Sequence, residues 1–171
     1  IEFLGSREGI RDAKLEILEG LRPGGTAVLN GDEPLLWCKK NWLGVKTLYF
    51  GIDNPECDVR AEHIVLHDDR VELTIVHPGG SFDAVLNTAG YHNVYNALAA
   101  AAAGLCLGLS HEQIAVGLAS FHDLHQTITY EDGFAIIDAC YNASPDAVEA
   151  SLEVLKSLSV NGRRFAVLGG M

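Results

Sequence analysis

The stretch PGGTAVLNGD at residues 23–32 decides how the rest of the sequence is interpreted. Its Pro-Gly-Gly triplet ends a helix that the helical spacing of apolar residues predicts over residues 6–21, with Ser6 as the cap. Residues 26–29 then predict a short buried strand, and Asn-Gly-Asp is a turn signal. A helix over residues 34–41 and a strand over residues 47–50 are predicted next. This alternation indicates an α/β fold with a parallel sheet.

The pattern downstream changes to short alternating strands separated by turn signals. It predicts an antiparallel meander over residues 59–86, which we expect to cover one edge of the core. Two helices, over residues 93–107 and 110–118, follow; Ser110 is the predicted cap of the second. These helices end the first structural unit.

A second α/β unit is predicted from about residue 123, so we divide the chain into residues 1–122 and 123–171. Its predicted elements are strands at residues 128–130, 134–137 and 164–168 and a helix at residues 145–158. A final strand without a covering helix is unusual for a complete α/β unit, and we expect the sequence to be cut there.

Composition excludes several classes of protein. Twelve Lys and Arg against 23 Asp and Glu give a formal net charge of −11, which disfavours a nucleic-acid partner. The longest apolar run, residues 96–109, is too short and too weakly hydrophobic to span a membrane. The four cysteines form no Cys-x-x-Cys pair and are expected to be free thiols in a reducing cytosol. A cytoplasmic protein is therefore expected.

Lys14 lies on the helical stripe of Ile10, Ile17 and Leu21, the face that the first helix is expected to bury. A buried lysine must be paired, deprotonated or chemically modified. The alternative is that its ammonium extends past the stripe to solvent. Spacing alone favours that alternative.

Polar residues also cluster at two junctions that open helices. His92, Asn93 and Asn96 begin the helix over residues 93–107, where free amides favour anionic or polar ligands, although simple capping by Asn93 is as consistent with the pattern. Asp138, followed by the loop to Ser144, ends a predicted strand, where open α/β sheets bind ligands. Ser144 also suits the N-cap of the next helix.

Two common kinds of site are not supported by the pattern. His63 and His67 are predicted on one strand, about 13 Å apart along one face, and His122 and His125 lack further metal ligands. No Gly-Lys dipeptide occurs in the sequence, so the chain has no Walker A loop.

Three strings resemble segments of Mur ligases: YNASPD at residues 141–146, GYHNVYNALAA at residues 90–100, and Ala13-Lys14 followed by the apolar stripe and the Asn-Gly-Asp turn. The resemblance is greatest to the branch that joins D-Ala-D-Ala to a UDP-MurNAc-tripeptide, because the related MurE branch usually has a Tyr-Ala-His type sequence at the first string. It covers nearly the whole chain.

The resemblance implies an ATP-dependent, Mg²⁺-requiring ligase of peptidoglycan synthesis, cytoplasmic and monomeric when intact. Residues 1–122 would be the second half of its central ATPase domain, with a parallel sheet and a small antiparallel meander. Residues 123–171 would begin its Rossmann-like C-terminal domain. Without the phosphate loop, the chain alone is expected to be inactive.

The resemblance also implies residue roles. Lys14 would be the catalytic lysine that carries a carbamate and binds Mg²⁺. His92, Asn93, Asn96 and Asp138 would contact ATP, and Tyr141, Asn142 and Ser144 would contact nucleotide and acceptor substrate.

Three positions depart from the family pattern. Residues 125–127 lack the usual arginine, Ala139 replaces the usual aspartate, and Gly170 stands where aspartate is common. Asp138 is adjacent to Ala139, but a shift of one along a strand turns the side chain to the other face. The alternatives are therefore another amide ligase, of the MurE or folylpolyglutamate synthase type, and a non-catalytic nucleotide-binding module.

Overall fold

The computed structural model describes residues 5–37, 44–121, 126–141 and 144–170. Its main sheet has five strands in sequence order, namely β1 (Thr26–Asn30), β2 (Lys46–Gly51), β3 (Val59–Leu66), β4 (Val71–His77) and β5 (Gly80–Leu86). The β1–β2 and β2–β3 pairs are parallel, and the last three strands form an antiparallel meander. The predicted parallel strands and meander are both present, joined edge to edge in one mixed sheet.

Two helices cover this sheet. Helix α3 (His92–Cys106) packs on β1, β2 and β3, and α4 (His111–Ala119) packs on β5. The inward side of β4 shows the period of two expected for a strand with one buried face, since Val71, Leu73 and Ile75 are all buried. Small residues dominate the buried face of α3, which lets its backbone approach the sheet closely.

Local capping signals fix the starts of the helices. Ser110 accepts a hydrogen bond from the Gln113 amide and Gln113 returns one, a complete capping box for α4. Ser144 caps α5 (Pro145–Ser157), whose first residue is proline. The predicted capping roles of Ser110 and Ser144 are confirmed.

The first helix differs from its prediction. Helix α1 (Arg7–Leu15) ends early, and the chain tightens into a 3-10 helix over Glu16–Gly20. Three residues per turn instead of 3.6 rotate later side chains away from the stripe, and the Ile17 side chain is 77% exposed. The short helix α2 (Pro34–Trp37) begins where predicted, and residues 38–41 of that prediction lie outside the described residues.

The prediction that His63 and His67 lie on one face of the same strand is also wrong. The register of β3 shifts between Glu62 and Val65, and His63 has a φ of +52°. His67 follows the end of the strand. The bulge removes the regular spacing on which a shared face would depend.

The predicted second unit contains an antiparallel hairpin, β6 (Thr127–Glu131) and β7 (Phe134–Asp138), followed by α5. The strand predicted at residues 164–168 is not formed, and the Val167 side chain is 98% exposed. A strand needs a neighbouring backbone to satisfy its amides and carbonyls, and none of the described strands pairs with this segment. Arg164 instead donates to the carbonyls of Leu155 and Leu158 at the end of α5.

The two predicted units are in contact. Val154 of α5 and Leu158, which follows the helix, are buried, and both Asp68 carboxylate oxygens lie 3.1 Å from the Ser159 amide nitrogen. In the described part of the chain, no helix has the length and apolarity needed to cross a bilayer.

Candidate functional site

A groove of about 320 Å³ lies between α3, α4 and the end of β5. Its volume is at the lower end of the range of small-molecule sites. The wall is mainly apolar and includes Leu86, Ile114, Leu118 and Phe121, while polar groups come from Thr88, Asn93, Asn96 and Gln113. An apolar slot with a few amide groups at one side is suited to a flat heteroaromatic ring that has polar edges.

Asn93 and Asn96 are joined by hydrogen bonds across one turn of α3. The buried Asn93 donates from Nδ2 to the Ala89 carbonyl at 2.8 Å and to Thr88 Oγ1 at 3.4 Å. Its Oδ1 accepts from Asn96 Nδ2 at 3.1 Å. Asn93 is therefore held by the loop before α3, and it orients the exposed Asn96 amide beside the groove.

His92 lies at the first position of α3, and its ring packs against Gly90. The backbone conformation at Gly90 is one that favours glycine. Gly90 has a φ of +103°, and a Cβ on it would lie 2.6 Å from His92 Cε1 and 3.2 Å from Val154 Cγ2. The N-cap residue of α3, Tyr91, makes no side-chain capping bond. The positive end of α3 thus lies beside the predicted cluster of His92, Asn93 and Asn96.

Sequence analysis assigned Asp32 only to a turn, but in the structure this residue connects the sheet to α3, the helix that carries Asn93 and Asn96. Its carboxylate accepts backbone N–H bonds from Ile52 at 2.6 Å, Asp53 at 3.2 Å and Asn54 at 2.7 Å. It also accepts the Tyr95 hydroxyl at 3.0 Å. A carboxylate at the carboxyl end of a parallel strand was the available signal, but its partner Tyr95 lies 63 residues away.

The Asp32–Tyr95 pair has altered proton affinities. Partial burial alone would raise the pKa of Asp32, but its three amide donors and Tyr95 together lower that pKa below the ordinary value. Burial, followed by the hydrogen bond to Asp32, raises the pKa of Tyr95. Asp32 is therefore a carboxylate and Tyr95 a neutral phenol at neutral pH.

The residues predicted in the second unit form a loop after β7. Asp138 ends the strand, is exposed, and accepts the Cys140 amide at 3.0 Å, a bond that lowers the Asp138 pKa. Tyr141 is 75% exposed, and Ser144 accepts the Ala147 amide at 3.3 Å as the α5 cap. Asn142 lies outside the described residues.

Lys14 lies in the last turn of α1 and is exposed, as its spacing alone favoured. None of the residues of α1 is buried, so the apolar stripe forms no buried face that would enclose the lysine. The metal role of Lys14 stays a prediction. No group of three or more His, Cys, Asp or Glu side chains that could hold a metal occurs in the described parts of the chain.

An unpredicted histidine pair joins the β4–β5 turn to α4. His77 Nε2 lies 2.8 Å from His111 Nε2, and His77 Nδ1 accepts the Gly79 amide at 3.2 Å. The His111 ring stacks on Phe82 with centroids 4.7 Å apart. Since His77 Nδ1 is an acceptor, its proton resides on Nε2 and is donated to His111.

The sequence and the structure of this chain resemble those of known proteins over most of its length. The model of the Mur ligase middle domain matches residues 1–104. A UDP-N-acetylmuramoyl-tripeptide--D-alanyl-D-alanine ligase of Bacillus subtilis is 36% identical over 174 residues, which cover 100% of this chain and 37% of the relative. The chain thus spans well under half the length of the curated relative it matches.

Solved structures of such ligases superpose on most of the chain. A MurF structure from Acinetobacter baumannii gives a TM-score of 0.80 at 30% identity, covering 91% of this chain and 34% of that one. MurF of Thermotoga maritima in complex with ADP gives a TM-score of 0.75 at 25% identity, covering 90% and 36%. The match to the middle-domain model over more than half of the residues, together with these relatives, establishes that the chain belongs to the Mur ligase family.

Proposed function

We propose that this chain forms the adenine-binding part of a MurF-type ligase, which joins D-Ala-D-Ala to a UDP-MurNAc-tripeptide at the expense of ATP. The observation that carries the proposal is the groove in which the Asn93–Asn96 amides face an apolar wall. The relatives named for this reaction and the ADP complex of one of them support it.

In this proposal the Asn96 amide pairs with the polar edge of adenine, because a carboxamide can donate and accept side by side with the adenine amino group and ring nitrogen. Asn93 keeps that amide in position, and the apolar wall covers the faces of the ring. His92 and the start of α3, which has no side-chain cap, are proposed to face the ribose and phosphates, where the helix dipole favours negative charge.

The proposed reaction has two steps. The tripeptide carboxylate attacks the γ-phosphorus of ATP and displaces ADP, which gives an acyl phosphate. The amine of D-Ala-D-Ala then attacks the acyl carbon, an amide bond forms, and inorganic phosphate leaves with one proton released from the amine. The protein supplies position and neutralises charge during phosphoryl transfer.

The loop after β7 is proposed to meet the nucleotide and the acceptor across the boundary near residue 122. Asp138, Tyr141, Asn142 and Ser144 are its proposed contacts, and the exposure of the Tyr141 ring supports a role in binding. The substrates, ATP and a UDP-linked precursor, favour a cytoplasmic enzyme, and we propose that the intact enzyme is a monomer.

Lys14 is proposed to act as a carbamate that contributes an anionic oxygen ligand to Mg²⁺. The Lys14 side chain is exposed, so its amine is accessible to the dissolved CO₂ from which a carbamate forms. The described residues do not form a complete Mg²⁺ donor set, so the steps above are assigned without the ion.

The test is phosphate release by the full-length protein that contains this chain, with UDP-MurNAc-tripeptide, ATP, Mg²⁺ and D-Ala-D-Ala. Release that requires the dipeptide is the expected result. In a substrate panel, release that requires a different carboxylate donor together with glutamate or a diamino acid would indicate a ligase of the folylpolyglutamate synthase or MurE type.

A non-catalytic nucleotide-binding module is the second candidate. One observation favours it: the Asp138 carboxylate is bonded to the Cys140 amide, while Ala139 has no polar group to offer. ADP binding without phosphate release under any acceptor would support this candidate and overturn the ligase proposal.

A further inference from the structure

We propose that the Asp32–Tyr95 hydrogen bond is a positioning contact that sets the rotation of α3 and thereby the affinity of the groove for nucleotide. This inference rests on the proposed function, because it assigns the groove to adenine. It adds two residues that touch neither the groove nor, in the proposal, the reacting atoms.

The first step of the argument concerns the rigidity of Asp32. The carboxylate binds three successive amides, those of Ile52, Asp53 and Asn54, at the end of β2. The Asp32 amide in turn donates to Asn30 Oδ1 at 2.9 Å, at the end of β1. Asp32 is therefore fixed to two parallel strands of the sheet, and its remaining acceptor capacity is directed to the Tyr95 hydroxyl.

The second step concerns what holds α3 in rotation. The helix rests on the sheet through the small buried side chains Ala97, Ala101 and Ala102 and through the fully buried Val94 and Leu98. These apolar contacts hold the helix against the sheet, but they are not directional. A charge-assisted hydrogen bond near the start of the helix adds a directional restraint to this packing.

The third step relates rotation to the groove. At 100° per residue, Asn96 and Asn93 lie about 100° and 160° around the helix from Tyr95. Their polar atoms lie about 5–6 Å from the helix axis, so a rotation of about 10° displaces them by about 1 Å. A displacement of that size exceeds the range of good hydrogen-bond lengths. Loss of the Tyr95 contact should therefore weaken the adenine contacts while the groove itself persists.

Tyr95→Phe is the main variant, because it removes the hydroxyl and keeps the ring that packs at the edge of the core. Tyr130→Phe is the matched control, since it removes a hydroxyl from a tyrosine that is 60% exposed on β6. Both are made in the full-length protein. ADP binding is measured by calorimetry, KM and kcat by phosphate release, and the thermal unfolding midpoint by calorimetric scanning.

We expect Tyr95→Phe to raise the Kd for ADP and the KM for ATP about tenfold, which corresponds to about 1.4 kcal/mol of binding free energy. The kcat and the KM for D-Ala-D-Ala should stay within about twofold of the wild-type values. Tyr130→Phe should match the wild type. Asp32→Asn combined with Tyr95→Phe should raise the Kd by less than the product of the single effects, because both changes disrupt one contact.

Two outcomes would overturn the inference, and they are distinguishable from failure of the proposed function. Wild-type ADP affinity in a folded Tyr95→Phe protein would remove the positioning role and leave the ligase proposal intact. Equal losses in affinity for ADP and D-Ala-D-Ala, together with a lower unfolding midpoint, would indicate a general structural role. Absence of nucleotide binding by the wild type would overturn both proposals.

Discussion

The His77–His111 pair predicts a loss of stability on mild acidification. In the neutral pair, His77 Nε2 donates to His111 Nε2, and the Gly79 amide donates to His77 Nδ1. An added proton must therefore occupy one of these two acceptors and remove a hydrogen bond. A second proton places two imidazolium rings with centroids 4.9 Å apart.

The magnitude follows from that separation. Two unit charges at 4.9 Å repel by about 1 kcal/mol with the dielectric constant of water and by about 3 kcal/mol at an effective value of 20. Burial, and then the charge of His111, lower the pKa of His77 in the folded protein. The unfolded chain, with a histidine pKa of about 6.5, therefore binds more protons below that pH, and stability falls as the pH decreases.

The assay compares the wild type with His77→Gln, which can still hydrogen-bond but does not titrate, between pH 7.5 and pH 5.0. Thermal unfolding gives the stability, and hydrogen exchange of the β4–β5 turn gives the local effect. We expect the wild type to lose about 1–2 kcal/mol more than the variant, because a histidine that stays neutral at pH 5.0 against an unfolded-state pKa of about 6.5 costs at most about 2 kcal/mol. His63→Gln, at an exposed histidine outside the pair, should behave as the wild type. Equal pH dependence in the wild type and His77→Gln would show that the histidine pair does not couple stability to pH.

Three further outcomes are expected in the full-length protein. Asn96→Ala should weaken ADP binding about tenfold through loss of the adenine contact, as measured by calorimetry, whereas the control Asn161→Ala at an exposed position should not. Unchanged ADP affinity in Asn96→Ala would exclude the groove as the adenine site. Gly90→Ala should lower the free energy of unfolding by about 1–3 kcal/mol, because alanine is strained at the positive φ of this position. The control Gly162→Ala, at a position with open space around it, should leave that free energy unchanged. Both are measured by denaturant unfolding. Lys14→Ala should abolish ligation and leave the unfolding midpoint unchanged, and wild-type turnover would disprove its metal role.

Elements set by local chemistry were predictable from the sequence. The alternation of β4 follows from one buried face, and the caps at Ser110 and Ser144 satisfy amides only three residues away. The hairpins of the meander similarly depend on neighbouring turns. These features need no knowledge of distant residues, and all were predicted within a few positions of their observed ends.

The features that sequence reasoning missed depend on contacts made only in the folded chain. Asp32 is separated by 63 residues from Tyr95, and His77 by 34 from His111, so no local spacing reveals either pair. The predicted strand at residues 164–168 has the right apolar composition, but composition does not supply a pairing partner. The end of the first helix at Leu15 was missed because a switch to 3-10 geometry leaves no clear mark in helical spacing.

Ala139 stands where the Mur ligase family usually has aspartate, and the neighbouring Asp138 is the available carboxylate in this loop. Asp138 replaces the missing side chain only in part, because one oxygen of its carboxylate already accepts the Cys140 amide, and that bond lowers its pKa. Breaking the bond to reach a ligand would expose an amide and cost part of what a new contact contributes. If the loop does bind nucleotide, Asp138→Ala should therefore affect ADP affinity less than Asn96→Ala. The contribution of the second unit would then come mainly from Tyr141, whose ring is exposed.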